Sequence, residues 1–361
     1  MDTNRPPSIL HILEPSRAGV PAYVNLLGST LADRGYRQYV LTGMDQEWDF
    51  TSWAESVHRH EWRRTIGSTW AVASIARQVV ADTSVDLVHA HATWAGLALR
   101  IRSLAPPIAY QPHGWGRDSV KGWPAKMFAS SVEQLLAPRS DRLLLLSDAE
   151  ASAAPRTRHI DRVRPMVDLA GFSPIDQAAR YSLRDRLGWP TDRPIALCVG
   201  EISARKRQSE LVEAWVRLAD ERVELVIVGA GDGDRSGTLR DALGPATRWL
   251  GWRDDVAQLM TAADFLVIAS SGEGFSLVIP EALASGLVVF STDVGGSEAV
   301  EPTDGVIATN IDAVVRSVLA ADPTLCGDDA RRSRSSRAVS RYALGAAADE
   351  IVLIYDQMLV R

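Results

Sequence analysis

The chain has 361 residues, 46% of them hydrophobic and 23% charged, with 39 Lys and Arg against 45 Asp and Glu. That length and balance suit two packed domains and argue against disorder, and a net charge of −6 with no basic motif speaks against nucleic-acid binding. No run approaches the roughly 18 apolar residues of a membrane span, residues 1–7 carry no signal pattern, and Cys198 and Cys326 lack metal or disulfide spacing, so a reduced cytoplasmic protein is expected.

Short apolar runs alternate with longer amphipathic ones, the βαβ rhythm of parallel sheets covered by helices, so the class is α/β. In the first half, 9–13, 38–42, 85–89, 108–111 and 142–147 read as strands, and 23–34, 67–82 and 126–137 as helices. Residues 163–194, with four prolines and a helical insert at 177–187, read as a hinge. In the second half, 195–199, 224–228, 248–250, 265–269 and 288–291 read as strands, with a helix at 208–219. These elements make two Rossmann-like units. The cluster of serines and arginines at 331–337 reads as a solvated face, and 342–360 carries an apolar stripe at helical spacing. The first 170 residues carry 19 basic against 17 acidic residues and the remainder 20 against 28. So small a basic excess leaves a solvated surface and a membrane-proximal acceptor both open.

Segment 270–286 places two carboxylates, Glu273 and Glu281, eight residues apart around a turn that opens a helix. Glu273 follows the apolar strand 265–269, so it projects where open α/β sheets bind ligands. Between the two, Gly274, Phe275, Ser276 and Leu277 can turn backbone N–H groups toward a diphosphate. Only three of the 39 basic residues are lysines, and Lys206 is the one lysine of the second half, at a helix start where a compact charge grips phosphate. Gly229-Ala230-Gly231-Asp232-Gly233 follows a strand like a dinucleotide fingerprint, but Asp234 occupies the place of the required third glycine. His89 and His91 share a strand face, as do His58 and His60, and the spacing supplies neither pair with a third metal ligand.

The 270–286 segment resembles the Glu-x7-Glu motif of family 4 of the retaining GT-B glycosyltransferases. The likeness is strongest over 195–300 and extends, more weakly, along nearly the whole chain. It implies a GT-B fold: an acceptor domain over 1–170, a nucleotide-sugar donor domain over 171–341 facing it across a cleft, and a helix over 342–361 crossing back to the first. It implies a nucleotide-diphosphate sugar as co-substrate, without metal or other cofactor, and a sugar or lipid-linked acceptor. The family's Gly-Arg-Leu-x-x-x-Lys-Gly segment corresponds to 200–207, so Lys206 is its lysine, whereas Glu201 stands for the arginine and Arg207 for the final glycine. Arg205 is the expected substitute charge.

Further donor contacts implied by the resemblance are Gly19, in the loop after the first strand, and Arg253, in the turn that meets the nucleobase, where Trp252 reads equally as a packing residue. His113 corresponds to the histidine beside the donor sugar, and Glu273 and Glu281 to the residues holding sugar and ribose hydroxyls. The segment 115–128, with Arg117, Lys121, Trp123 and Lys126, reads as acceptor wall, membrane contact or packed loop. The implied reaction is hexosyl transfer with retention. An epimerase or phosphorylase of the same fold, or an idle sugar-nucleotide binder, stays open.

Overall fold

The computed structural model describes residues 5–16, 19–102, 104–157, 159–219 and 221–360. The chain divides into two compact units, Met1–Val167 with Ala343–Arg361, and Asp168–Tyr342. Among the described residues no helix is long and apolar enough to cross a membrane.

The first unit carries β1 (Ser8–Leu13), α1 (Gly19–Ala32), β2 (Arg37–Gly43), β3 (Ser56–His60), α2 (Ile66–Thr83), β4 (Leu87–His91), α3 (Thr93–Ile101), β5 (Ile108–Gln111), α4 (Trp123–Leu136), β6 (Arg142–Leu145), α5 (Asp148–Ser152) and β7 (Ile160–Arg162). Its seven strands run in the order β3-β2-β1-β4-β5-β6-β7, with every pairing parallel. Central strands β1, β4 and β5 are buried along their whole length, as a sheet covered on both faces requires. The order reverses between β1 and β4, where Leu13 lies opposite His91, and this switch point is where such sheets open a ligand crevice.

The second unit repeats the plan. It carries α6 (Gln177–Leu187), β8 (Ile195–Val199), α7 (Gln208–Leu218), β9 (Glu224–Val228), α8 (Gly233–Ala242), β10 (Thr247–Trp249), α9 (Val256–Ala262), β11 (Phe265–Ile268), α10 (Val278–Ala284), β12 (Val288–Thr292), β13 (Gly305–Ala308), α11 (Ile311–Leu319) and α12 (Asp328–Arg341). Its parallel strands run β10-β9-β8-β11-β12-β13, so the switch point lies between β8 and β11. Apolar clusters fill both faces of the sheet, one around Leu197, Val226, Leu266 and Ile279, the other around Trp215, Ile227, Val267 and Phe290.

The last helix, α13 (Leu344–Leu359), belongs to the first unit. It buries Ile351, Ile354, Tyr355 and Met358 and is pinned by Arg34 to Asp349 at 2.6 Å and Arg142 to Gln357 at 2.6 Å.

Three differences from the sequence reading have physical causes. Edge strands β3 and β7 are polar, Ser-Val-His-Arg-His and Ile-Asp-Arg, and give no apolar run to read. Helix α4 starts at Trp123 rather than 126 because Gly122, at φ 83°, begins the turn and Pro124 suits its first residues. The arginine cluster at 331–337 is not uniformly a solvated face: Arg331 and Arg334 are 1% and 2% exposed. Arg331 donates to Ala263 O at 2.9 Å and Ser285 O at 3.1 Å, and Arg334 to Gly286 O at 2.8 Å, which satisfies carbonyls where helices end.

The loops after β8 and β9 touch. Gly200 N donates to Val228 O at 2.9 Å and Ile202 N to Ala230 O at 2.8 Å. Gly229 has φ 146°, and a Cβ on it would lie 1.9 Å from Gly200 O, so this close approach of the two loops requires the glycine. Gly229→Ala is expected to cost about 2–4 kcal/mol in chemical denaturation. A midpoint equal to that of the unaltered protein would contradict the contact.

Candidate functional site

Both strands that flank the switch point of the second unit end in loops carrying charge. After β8, residues 200–207 lead into α7, and after β11, residues 269–277 lead into α10. The loops are stitched together by Ser271 N donating to Arg205 O at 2.8 Å. Arg207 adds bonds to Ala269 O at 2.6 Å and Ser270 O at 3.0 Å. Arg207 sits at φ 53°, the left-handed region that favours glycine. A glycine at this position in the resembling family is thereby explained, and here the bulkier residue secures its backbone through its own guanidinium.

Glu273 lies at the centre. Lys206 Nζ is 2.6 Å from its Oε1, Arg205 Nη1 donates to its Oε2, and Ser270 Oγ donates to Oε1 at 2.8 Å. Burial works to raise this carboxyl, but Lys206 first, then Arg205 and the hydrogen bonds, outweigh it and hold it below the ordinary value. Glu273 is therefore a carboxylate bearing two cations. Gly200 has φ 146°, and a Cβ there would come 3.3 Å from Lys206 Cε, so the glycine leaves room for the lysine stem.

Glu281 is on α10, with only part of its surface in solvent. Burial raises its pKa from 4.5 to about 7, and Lys206 acts in the opposite direction. With Glu281 only partly ionised near neutral pH, two cations outweigh the carboxylate of Glu273 and leave the cluster a net positive charge. An anion with several oxygens fits that balance.

Of the four residues that follow Glu273, Ser276 has its N–H committed to Gly295 O at 2.9 Å. The amides of Gly274, Phe275 and Leu277 have no protein acceptor among the described residues. Phe275 itself packs edge-on against Tyr342, with ring centroids 6.2 Å apart. Arg253 forms a two-point pair with Asp255 at 2.8 and 2.5 Å, so its charge is already partnered. Trp252 is 71% exposed and does not pack. Glu201 is exposed and offers its carbonyl to Gln208 at 2.9 Å.

In the first unit, Gly19 opens α1, and its two preceding residues lie outside the described ones. His113 follows β5 at φ 52°, a left-handed conformation that is costly for a histidine. Glu150 holds the turn: its carboxylate accepts from Gly114 N at 2.5 Å and Leu146 N at 2.7 Å, and its carbonyl from Trp115 Nε1 at 2.9 Å. Ser147-Asp148-Ala149-Glu150 is a capping-box pattern that points to this residue in the sequence.

His113 is one of four histidines in contact. His91 Nδ1 is 3.2 Å from His113 Nε2, His11 Nδ1 is 3.2 Å from His91 Nε2, and the rings of His89 and His91 are 3.9 Å apart. Thus His11, absent from the reading of His89 and His91, joins them: one ligand atom from each of the three lies within 4.8 Å of the others. His11 and His91 spend their facing nitrogens on each other, and His89 Nδ1 lies 2.6 Å from Tyr355 OH. His58 and His60 lie on edge strand β3, away from this group.

Helix α4 buries only Glu133 and Leu136, and leaves Trp123, Met127, Phe128 and Leu135 exposed.

Residues 193–321 match the family described as glycosyl transferases group 1, and 18–167 match the glycosyl transferase 4-like domain. A D-inositol 3-phosphate glycosyltransferase of Xylanimonas cellulosilytica is 31% identical over 333 residues, covering 86% of this chain and 73% of the relative. Sucrose-phosphate synthase from Thermosynechococcus elongatus superposes with a TM-score of 0.82 at 21% identity, over 98% of this chain and 99% of that one. Anabaena HepE in complex with UDP and glucose gives a TM-score of 0.80 at 19% identity, over 97% and 99%. These two likenesses show the fold, GT-B.

The Glu281 shift has a stability consequence that needs no ligand. Below pH 4.5 the carboxyl is neutral folded or unfolded, and as pH rises from 4.5 to about 7 only the unfolded chain ionises, so stability falls. Glu281→Gln is expected to stabilise the unliganded protein by about 2 kcal/mol at pH 8 and to have little effect near pH 4.5, by denaturant unfolding at each pH. An equal effect at both pH values would contradict the shift.

Proposed function

The chain belongs to the group 1 glycosyltransferases of family 4, and from that premise we propose that it transfers a hexose from a UDP-sugar to a hydroxyl acceptor with retention. The observation that carries the reading is the Lys206–Glu273–Arg205 cluster beside amides that have no protein acceptor. A diphosphate takes the two cations from Glu273 and the N–H groups of Gly274, Phe275 and Leu277, which stabilise the charge that grows on the leaving phosphate. Glu273, released from its cations, accepts from hydroxyls of the donor sugar, and Glu281 from those of the ribose. Gly19 and Arg253 are assigned to the donor as well, with Arg253 exchanging Asp255 for the ligand.

Retention follows a front-face displacement: the anomeric C–O bond to phosphate breaks, the acceptor oxygen bonds on the same face, and the departing phosphate takes the acceptor's proton. Glu273 and Glu281 are assigned to substrate hydroxyls and not to an acid and nucleophile pair; Glu273 is an ion-paired carboxylate with no proton to give. Charge neutralisation rests on Lys206 and Arg205, so no resident metal or other cofactor is assigned. Uracil is assigned as the donor base on the likeness to HepE, which binds UDP.

For the acceptor, the exposed apolar residues of α4 beside Lys121 and Lys126 support a lipid-linked sugar at an anionic surface. A glycan or small polyol phosphate shares the same hydroxyl chemistry. The reading places the enzyme in the cytoplasm, at the inner face of the membrane. Vesicles rich in anionic phospholipid are expected to sediment the protein, and Trp123→Ser with Phe128→Ser to release it. Equal recovery of both forms in the supernatant would contradict membrane contact.

Transfer from UDP-glucose and UDP-galactose, measured with a chelator present throughout, tests the chemistry. Lys206→Ala is expected to weaken nucleotide-sugar binding by at least about tenfold in calorimetry. Glu273→Ala is expected to cut transfer while keeping most of the affinity for UDP. Unchanged affinity in the first variant, or unchanged turnover in the second, would overturn the assignment, and activity that appears only on adding a divalent ion would overturn the metal-free mechanism.

A further inference from the structure

A line of hydrogen bonds crosses the first unit from a backbone carbonyl to His113. Gln38 Nε2 donates to Gly28 O at 2.7 Å, which fixes the amide with its oxygen toward His11 Nε2, 3.1 Å away. A carbonyl oxygen only accepts, so His11 carries a proton on Nε2. The next two gaps are His11 Nδ1 to His91 Nε2 and His91 Nδ1 to His113 Nε2, each 3.2 Å.

Three gaps need three protons, and three neutral imidazoles supply one each. His11 and His91 are fully buried. Burial lowers His11 to about 4 and His113 to about 3, and drives His91 well below the ordinary histidine value. His11 donates from Nε2 to Gln38 Oε1, and His91 and His113 each donate from Nε2 to the bare Nδ1 of the ring before. The Gly28 carbonyl thus sets every tautomer in the row, and the last ring ends it with a lone pair.

His113 is the ring of this row with part of its surface in solvent, and no protein donor reaches its Nδ1 among the described residues. Its ring is held edge-on by Tyr23, with centroids 4.8 Å apart.

We propose that Gln38, His11 and His91 are positioning residues that hold His113 as its Nε2–H tautomer, so that its bare Nδ1 accepts a hydrogen bond from a hydroxyl of the sugar substrate. This rests on the reading of the chain as a glycosyltransferase with His113 at the sugar. Toward the sugar it makes His113 an acceptor only. The preset tautomer means that no proton has to be rearranged when the hydroxyl arrives.

The test has a part that needs no substrate. In protein labelled with 15N-histidine, two-bond proton–nitrogen spectra of the unliganded enzyme are expected to show His11, His91 and His113 neutral with Nε2 protonated, unchanged from pH 6 to pH 8. A His113 that is Nδ1-protonated, charged or a mixture of tautomers overturns the proposal.

Two variants then separate positioning from packing. His91→Gln keeps a donor and an acceptor that can bridge the same two neighbours, and His91→Met fills the space with neither. His91→Met is expected to lower kcat about tenfold with unchanged UDP affinity and a mixed His113 tautomer, whereas His91→Gln stays within about threefold with the tautomer kept. Equal kcat in the two variants overturns the proposal. An unaltered protein that neither binds nor transfers from nucleotide sugars would sink glycosyl transfer instead, and the tautomer spectra would still decide the row.

Discussion

The arrangement of the second unit depends on one ionic contact, Glu273 held by Lys206 and Arg205 where β8 and β11 end on either side of the switch point. A buried carboxylate is costly unless paired, and two cations at this spacing repel unless an anion separates them. Each side offsets the other's cost. The pairing leaves a positive remainder, and in the proposed reaction it is exchanged for a diphosphate, which offers the cations more oxygens than one carboxylate does. Arg207 keeps the loops in place during that exchange, since its bonds are to backbone carbonyls of 269 and 270 and not to the carboxylate.

The two units share a strand order and differ in the chemistry set near their switch points. In the second, charge is concentrated on neighbouring loops. In the first, strands β1 and β4 bring neutral imidazoles into a buried row, with His11 opposite His89 in the parallel register. Charge suits an ionic group such as a diphosphate, and a directed row of neutral hydrogen bonds suits a hydroxyl. Helix α13, although last in the chain, packs on the first unit, and Tyr355 meets His89 beside the row.

Much of this was legible in the sequence because it lies in local patterns. The buried central strands, the single lysine of the second half, and Glu273 placed after a strand are short-range signals, and Arg205, expected to offset Glu201, lies on Glu273. What escaped depends on distant partners. His11 joins His91 only when β1 pairs with β4, a register that no local spacing encodes. Arg331 and Arg334 look solvated from composition, yet the ends of α9 and α10 supply carbonyls that pair them. The amide of Ser276 reads as a free donor from its place in the turn, yet it bonds the Gly295 carbonyl. Strands β3 and β7 lack apolar content because they lie at sheet edges, where hydrophobic periodicity has little to act on.

A crystal structure with UDP-glucose bound tests the central claim most directly. The account predicts diphosphate oxygens within hydrogen-bonding distance of Lys206 Nζ, the Arg205 guanidinium and the amides of Phe275 and Leu277, with the Glu273 carboxylate turned to the sugar hydroxyls. A ligand lodged elsewhere, with Lys206 and Arg205 still closed on Glu273, would contradict it.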